Sequence, residues 1–246
     1  MSSHGNGGAF GGKQSGRLGE VARRLADEHG RAVRVLSTRE DVVLTGPKRP
    51  PIAAGVRADP AYQAYADILS FDLGGGSLEV ATVRGSQVTL ARSYPLGSVR
   101  LTHGYLRGSQ GVVDELDQAS IRDHLLRTLG PVLSPKMAEQ GLVVGAGGVF
   151  SAVALHLEAV GEAVVEGRLP TLRIRALKDK LSALPLAERA AVPGIPADRA
   201  DIMPAALLTV CVLADLTGAE SFQLTHRGLR HGMVELMLGP SGSGKT

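Results

Sequence analysis

Hydrophobic and polar residues alternate in three short segments near the middle of the chain. Residues 68–72, 78–83 and 88–94 show the two-residue period that is typical of a β-strand with one buried face. Residues 84–86, Arg-Gly-Ser, separate the second segment from the third and have the composition of a hairpin turn. We therefore predict a β-meander of three strands that begins directly after Asp67.

Outside this meander, the hydrophobic residues mainly follow the 3.6-residue period of an α-helix. Apolar residues recur at that spacing from Leu18 to Gly30, and the alternating residues 32–36 follow as a predicted strand. Four later segments have the helical period, namely residues 116–129, 152–160, 205–216 and 228–237. Further strands are predicted from residue 141 into a glycine-rich turn and at residues 221–224. This mixture of elements predicts an α/β fold.

The composition excludes several classes of protein and of binding partner. The 246 residues are 43% hydrophobic and 21% charged, which is ordinary for a globular chain. No apolar run reaches the roughly 18 residues of a membrane span and no apolar signal-peptide core follows Met1, so we expect a cytoplasmic protein without a membrane partner. The single cysteine, Cys211, agrees with a reducing compartment. Aromatic residues make up only 3%, and we expect no nucleic-acid duplex as partner despite the net charge of +3.

The first candidate site is the segment that joins the first two predicted strands. It holds an acid, three glycines, a serine and a second acid: Asp72, Gly74, Gly75, Gly76, Ser77 and Glu79. Consecutive glycines let the backbone turn tightly and direct N–H groups at an anion, because no Cβ atom intervenes. An acid at the end of a strand supplies the oxygen ligand that Mg²⁺ prefers. These residues predict a site for a polyphosphate with Mg²⁺, and a plain glycine-rich hairpin is the alternative.

A second glycine turn stands between a predicted strand and a predicted helix. Gly145, Gly147 and Gly148 lie just before that helix, whose first N–H groups and dipole favour phosphate. The alternative is that these glycines only allow a helix and a strand to pack closely. Two such turns in one chain favour a nucleotide or polyphosphate cleft.

Several segments together resemble the exopolyphosphatase and guanosine pentaphosphate phosphatase (Ppx/GppA) family. Residues 71–80, FDLGGGSLEV, resemble the second phosphate loop of that family. Four further segments resemble family signatures in the family's order: YPLGSVRLT at 94–102, VGAGG at 144–148, GIPADRADI at 194–202 and RGLRHG at 227–232. The resemblance covers roughly residues 18 to 238, and the shared order makes it more specific than any single motif.

The resemblance implies a fold, a reaction and a role for each candidate residue. The fold is the actin/sugar-kinase/Hsp70-like architecture, with two ribonuclease-H-like lobes, and the reaction is Mg²⁺-assisted hydrolysis of a terminal phosphoanhydride by water. Asp72 and Glu79 would hold Mg²⁺ or orient the water, while Gly74, Gly75, Gly76 and Ser77 would cradle phosphate opposite the loop of Gly145, Gly147 and Gly148. The substrate would be polyphosphate or a guanosine nucleotide, and a homodimer is possible.

A catalytic acidic pair of the family aligns with Glu40 and Asp41. Asp41 stands at the position of the family's base glutamate, which would take a proton from the attacking water. The side chain of Asp41 is one methylene shorter than that of glutamate. Small displacements of a catalytic group greatly lower the reaction rate. The alternative is that both acids are a charge pair at the start of a helix.

The ends of the chain depart further from the family. The glycine- and serine-rich residues 1–17 do not resemble the family's first phosphate loop, Asp-Ile-Gly-Ser-Asn-Ser, and we predict that they are disordered. We therefore expect residues 18–67 to be the remnant of an incomplete first lobe and residues 68–238 to form the second lobe. Residues 239–246, GPSGSGKT, match the P-loop pattern, yet no helix follows them in this sequence, so we interpret them as a flexible tail or as the cut edge of a further domain.

Three hypotheses about function remain open on the sequence. The first is a phosphohydrolase of the Ppx/GppA type, and the second is a degenerate member that binds polyphosphate or nucleotide without turnover. The third is a phosphotransferase related to sugar or acetate kinases, which the hydrolase-type signatures disfavour.

Overall fold

The computed structural model describes residues 67–225, except 85–86, 109 and 140, together with the isolated Asp27. Residues 67–225 belong to one compact unit, Ala53–Thr246. The predicted helix from Leu18 to Gly30, the strand at 32–36, the final helix and the P-loop-like tail lie outside the described residues. The predicted limits of the disordered start, the two lobes and the tail therefore stay predictions.

The β-meander is confirmed. Strands β1 (Asp67–Leu73), β2 (Leu78–Arg84) and β3 (Gln87–Tyr94) lie side by side, with β2 antiparallel to both neighbours. Each strand agrees with its prediction to within one residue at either end, because alternation and a glycine-rich turn are strong local signals. The pairing sets Asp72 directly opposite Glu79.

Helices make up most of the remaining described residues. They are α1 (Ser98–Tyr105), α2 (Glu115–Leu129), α3 (Gly148–Ala159), α4 (Thr171–Ser182), α5 (Leu186–Ala190) and α6 (Met203–Thr217). Short 3₁₀ turns occur at Pro135–Met137, Val165–Gly167 and Ala197–Arg199. In the described part of the chain, no helix has the length and apolar character needed to cross a bilayer.

Three further strands extend the meander into a single mixed sheet. They are β4 (Gly141–Ala146), β5 (Arg168–Pro170) and β6 (Ser221–Leu224), and the order across the sheet is β3-β2-β1-β4-β6-β5. Strand β4 runs parallel to β1 with Asp72 beside Ala146, and β6 runs parallel to β4. Ligands of such sheets bind beyond the carboxyl ends of the parallel strands, and both candidate glycine loops follow those ends.

The main core lies on one face of this sheet. Alternate residues of β1, namely Leu69, Phe71 and Leu73, point into it. Helix α6 is apolar on nearly all sides and is buried along almost its whole length, as expected of a central helix. The ring of Phe222 in β6 lies 6.3 Å from that of Phe71 and 5.4 Å from that of Phe150, which joins sheet and helix α3. The α/β class is thereby confirmed.

The opposite face of the sheet has a smaller apolar cluster. Ile68, Val83 and Val144 are buried there, with Leu142 packed beside them. In β1 this face continues from Ile68 through Ser70 to Asp72, because alternate residues share a side of a strand. The polar end of β1 therefore points away from the main core.

A β-bulge interrupts the ladder between β2 and β3. Val83 pairs with Val88, but the register shifts by one residue between Thr82 and Val83. Beyond the shift, Glu79 stands opposite Ser93. A bulge changes which side chains of one strand face a given residue of the other.

Candidate functional site

Polar side chains of three neighbouring strands form a row on the sheet face opposite the main core. Asp72 of β1 pairs with Glu79 of β2, and Glu79 pairs with Ser93 of β3. Directly opposed residues of antiparallel strands project to the same side. Asp72 and Glu79 are half-buried, whereas Ser93 is exposed. The structure therefore brings the two predicted acids together.

Two hydroxyl groups converge on one oxygen of Glu79. The Oγ of Ser77 donates to Oε1 of Glu79 at 2.6 Å, and the Oγ of Ser93 donates to the same oxygen at 2.9 Å. A serine has a single hydroxyl proton, so in this arrangement the proton of Ser77 is directed at Glu79. We predicted Ser77 as a phosphate ligand. In this structure its hydroxyl donates to the carboxylate of Glu79.

The carbonyl groups of the first glycine loop point at the start of helix α1. The N–H of Ser98 donates to the carbonyl of Gly74 at 2.9 Å, and the N–H of Val99 donates to that of Gly75 at 3.0 Å. The Nε of Arg100 donates to the carbonyl of Gly76 at 3.2 Å. These contacts hold the loop through its carbonyl side and occupy the N–H groups of α1.

The geometry of the peptide bond then fixes the direction of the amides in this loop. In a planar trans peptide the N–H points opposite to the preceding C=O, and no described peptide bond is cis. The N–H groups of Gly75, Gly76 and Ser77 therefore point away from α1. Successive N–H groups on one side of a turn form a concave site for an anion, which is the chemistry we predicted for this loop.

The second glycine loop meets the end of β1. Gly147 is the N-cap of helix α3 and has a φ of 102°. Residues other than glycine rarely adopt this backbone conformation. A Cβ atom there would overlap the carbonyl oxygen of Leu73 and lie 3.3 Å from Oδ1 of Asp72. The absence of a side chain therefore lets the backbone of Gly147 lie against the end of β1 near the Asp72 carboxylate, and the two loops adjoin.

The other two glycines of this loop differ in their surroundings. Gly145 is buried inside β4, where a Cβ atom would overlap the ring of Phe150, so its surroundings favour the packing alternative. Gly148 begins α3, and a Cβ atom there would overlap Nη1 of Arg199. Helix α3 starts four residues before its predicted beginning at residue 152, because the cap is Gly147 itself.

Arg199 is a residue of the site that the sequence did not assign. Its exposed side chain extends from the 3₁₀ turn Ala197–Arg199 to the first turn of α3. A guanidinium group beside helix N–H groups is a strong partner for phosphate oxygens. Residues 194–202 were matched to a family signature, but no local pattern linked them to the glycine loop.

The donor set fits Mg²⁺ bound together with a phosphate. In the described residues no group of three or more His, Cys, Asp or Glu side chains could hold a metal by itself. Mg²⁺ typically uses one or two carboxylates and takes its other ligands from substrate phosphates and water. Asp72 and Glu79, paired across the ladder close to Gly147, suit that requirement. Glu40 and Asp41 lie outside the described residues.

Solved structures with similar folds include proteins from two named organisms. The Ppx/GppA phosphatase of Aquifex aeolicus, in its type II variant, superposes with a TM-score of 0.62 at 21% identity, covering 88% of this chain and 69% of that one. An exopolyphosphatase from Cytophaga hutchinsonii superposes with a TM-score of 0.61 at 20% identity, covering 89% and 70% respectively. These similarities confirm the actin-like ATPase fold for the part of the chain that the structure describes.

Sequence comparison gives the family. An uncharacterized protein of Streptomyces coelicolor is 30% identical in an alignment 181 residues long that covers 66% of this chain and 50% of that protein. The chain thus spans about half the length of this relative. The profile of the Ppx/GppA phosphatase family matches residues 19–239, most of the sequence. The chain therefore belongs to the Ppx/GppA phosphatase family.

Proposed function

We propose that this chain is a Mg²⁺-dependent phosphohydrolase that removes the terminal phosphate of inorganic polyphosphate or of guanosine pentaphosphate. The observation that carries the proposal is the direction of the N–H groups of Gly75, Gly76 and Ser77, next to the paired Asp72 and Glu79. Successive amides on one side of a turn can bind phosphate oxygens, and adjacent carboxylates can bind the metal that accompanies them. Family membership supports the same class of reaction.

In this proposal the positive and amide groups bind the phosphate chain. The first glycine loop contacts the terminal phosphoryl oxygens with its N–H groups, and Arg199 with the first turn of α3 contacts them or the next phosphate. Phosphoryl transfer needs positioning and charge stabilisation more than covalent chemistry. A rigid loop that α1 holds by its carbonyls meets that need, because its amides cannot turn away.

The acidic residues have two different roles in this proposal, metal binding and proton transfer. Asp72 and Glu79 would hold Mg²⁺, which when bound neutralises charge on the phosphate oxygens. Glu79 would also orient the water that attacks the phosphorus atom. Asp41, with Glu40 beside it, is the proposed general base that takes the proton of this water.

The proposal can be tested with the purified full chain. Phosphate release would be measured from inorganic tripolyphosphate, long-chain polyphosphate and guanosine pentaphosphate, with Mg²⁺ and then with excess EDTA. We expect release that requires Mg²⁺ and falls by roughly 100-fold or more in Glu79→Gln and Asp41→Asn, because each variant removes a proposed part of the reaction. Asp123→Asn is the matched control, since Asp123 is an exposed acid on α2 paired with Arg127.

Other outcomes would identify a different function. Tight binding of tripolyphosphate without phosphate release would indicate a polyphosphate-binding protein. Transfer of phosphate to an added alcohol would indicate a phosphotransferase. Release that is unchanged in Glu79→Gln would contradict the assigned site.

A further inference from the structure

Ser93 of the edge strand β3 contacts the proposed metal-binding acid without belonging to either glycine loop. It stands opposite Glu79 in the ladder, and its Oγ donates to Oε1 of Glu79 at 2.9 Å. We propose that Ser93 is a positioning residue, whose hydroxyl holds the Glu79 carboxylate against the first glycine loop. The inference rests on the proposed function for the use of Glu79, but the conformation of Glu79 is measurable by itself.

Two hydrogen-bond donors together restrict the conformation of the Glu79 carboxylate. A glutamate side chain has three rotatable bonds and loses considerable freedom when it is held in one conformation. Ser77 donates to Oε1 from the loop at 2.6 Å, and Ser93 donates from the neighbouring strand. Because the two donors come from different backbone segments, they restrict the carboxylate more than either does alone. Removing one of them lets the carboxylate rotate about the other.

The role of Ser93 is separable from the stability of the fold. Its side chain is exposed, and the row of Asp72, Glu79 and Ser93 lies on the sheet face opposite the main core. Helix α2 offers a natural comparison. The hydroxyl of the exposed Ser120 donates to the carbonyl of Leu116 in the same helix at 2.7 Å. Loss of that contact leaves the ladder between β2 and β3 unchanged.

Three variants of the full chain test the proposal: Ser93→Ala, Ser93→Thr and Ser120→Ala. Binding of Mn²⁺, used as a probe for the metal, would be followed by electron paramagnetic resonance with inorganic tripolyphosphate present. We expect Ser93→Ala to raise the Kd for Mn²⁺ by roughly 3- to 10-fold, the usual effect of one lost hydrogen bond. Ser93→Thr keeps the hydroxyl and should bind like the wild type, as should Ser120→Ala. The urea midpoint of Ser93→Ala should stay at the wild-type value.

A crystal structure of Ser93→Ala gives the second measurement. We expect the Glu79 carboxylate in a different or mixed conformation, with the backbone of β2 and β3 unchanged. A carboxylate that keeps its place in Ser93→Ala, together with unchanged Mn²⁺ binding, would overturn the proposal. So would an equal loss of Mn²⁺ binding in Ser93→Thr. Absence of phosphate release by the wild type would instead contradict the proposed function, while the conformation of Glu79 would still decide the role of Ser93.

Discussion

Gly97 approaches Gly75 so closely that a Cβ atom on Gly97 would overlap the carbonyl group of Gly75. This contact seats the first glycine loop on the N-terminus of α1, where the N–H of Val99 also reaches Gly75. The backbone of Gly97 is extended, with φ of −68°, so the requirement for glycine is steric and not conformational. The direction of the loop amides therefore depends on a residue outside the loop.

Gly97→Ala should displace the first glycine loop. We expect a loss of about 1–3 kcal/mol in the free energy of unfolding, the usual cost of overpacking, and weaker binding of tripolyphosphate. Urea denaturation and calorimetry would measure the two effects. Gly104→Ala is the control in the same helix, since a Cβ there meets no atom within 4 Å and alanine favours a helix by about 0.5–1 kcal/mol. Equal stability of Gly97→Ala and the wild type would contradict the steric role.

Arg199→Ala should weaken the binding of phosphate chains more than it affects the fold. A charge-assisted hydrogen bond contributes about 1.5–3 kcal/mol, so we expect a rise of roughly 10- to 100-fold in the Kd for tripolyphosphate. Arg199→Lys should be intermediate, because lysine keeps the charge but lacks the planar fork. Arg173→Ala is the control, as Arg173 is an exposed arginine whose Nε pairs with Glu162 at 2.8 Å. Unchanged affinity in Arg199→Ala would remove this residue from the site.

Asp117 contributes stability that depends on pH. Its carboxylate accepts the backbone N–H of Arg107 at 2.9 Å and the Nε of Arg107 at 2.8 Å. The backbone hydrogen bond, opposed by burial and reinforced by the guanidinium, lowers the pKa of Asp117 below its ordinary value. Since the folded pKa lies below the unfolded value of about 3.9, this stabilisation is present above about pH 4 and is lost as the pH falls through the folded pKa.

Asp117→Asn should therefore destabilise the chain at neutral pH and make little difference in acid. We expect a loss of about 1–2 kcal/mol at pH 7, measured by urea denaturation, and a smaller difference from the wild type at about pH 3. Asp123→Asn, which breaks an exposed pair with Arg127, should change the free energy of unfolding by less than about 0.5 kcal/mol. A difference for Asp117→Asn that grows in acid would show that the sign is wrong.

Cys211 should react slowly with thiol reagents in the folded chain. It is only 2% exposed, and burial raises its pKa to about 11, although Arg175 and Lys178 oppose the shift. Because the thiolate is the reactive form, we expect labelling by iodoacetamide at pH 8 to be roughly 100-fold or more slower than in denaturing urea. Equal rates in the two conditions would mean that the centre of α6 is open to solvent.

The meander and the first candidate site were predictable because their signals are contiguous in the sequence. Asp72, three glycines, Ser77 and Glu79 follow one another at the junction of two alternating segments, and a hairpin brings the two acids together. Helix α6 was predictable for the same reason, since its long apolar segment ends at Gly218.

Other elements were harder to predict for physical reasons. Helix α1 is short, contains Gly104 and exists because its first turn binds the loop carbonyls, which is a tertiary contact. Helix α4 was not among the predicted helices, although its buried Ile174, Leu177 and Leu181 follow helical spacing. Arg199 reaches the site through folding alone, so no local pattern could assign it.

The register shift between Thr82 and Val83 determines which residue of β3 lies opposite Glu79. If the pairing of Arg84 with Gln87 continued without interruption, Arg92 and not Ser93 would stand across from Glu79. A permanent cation in that place would form an ion pair with the carboxylate and compete with any metal for its oxygens. Loss of the bulge, with every residue of the hairpin retained, would thus replace a neutral hydrogen-bond donor by a rival positive charge, with no change at Glu79 itself.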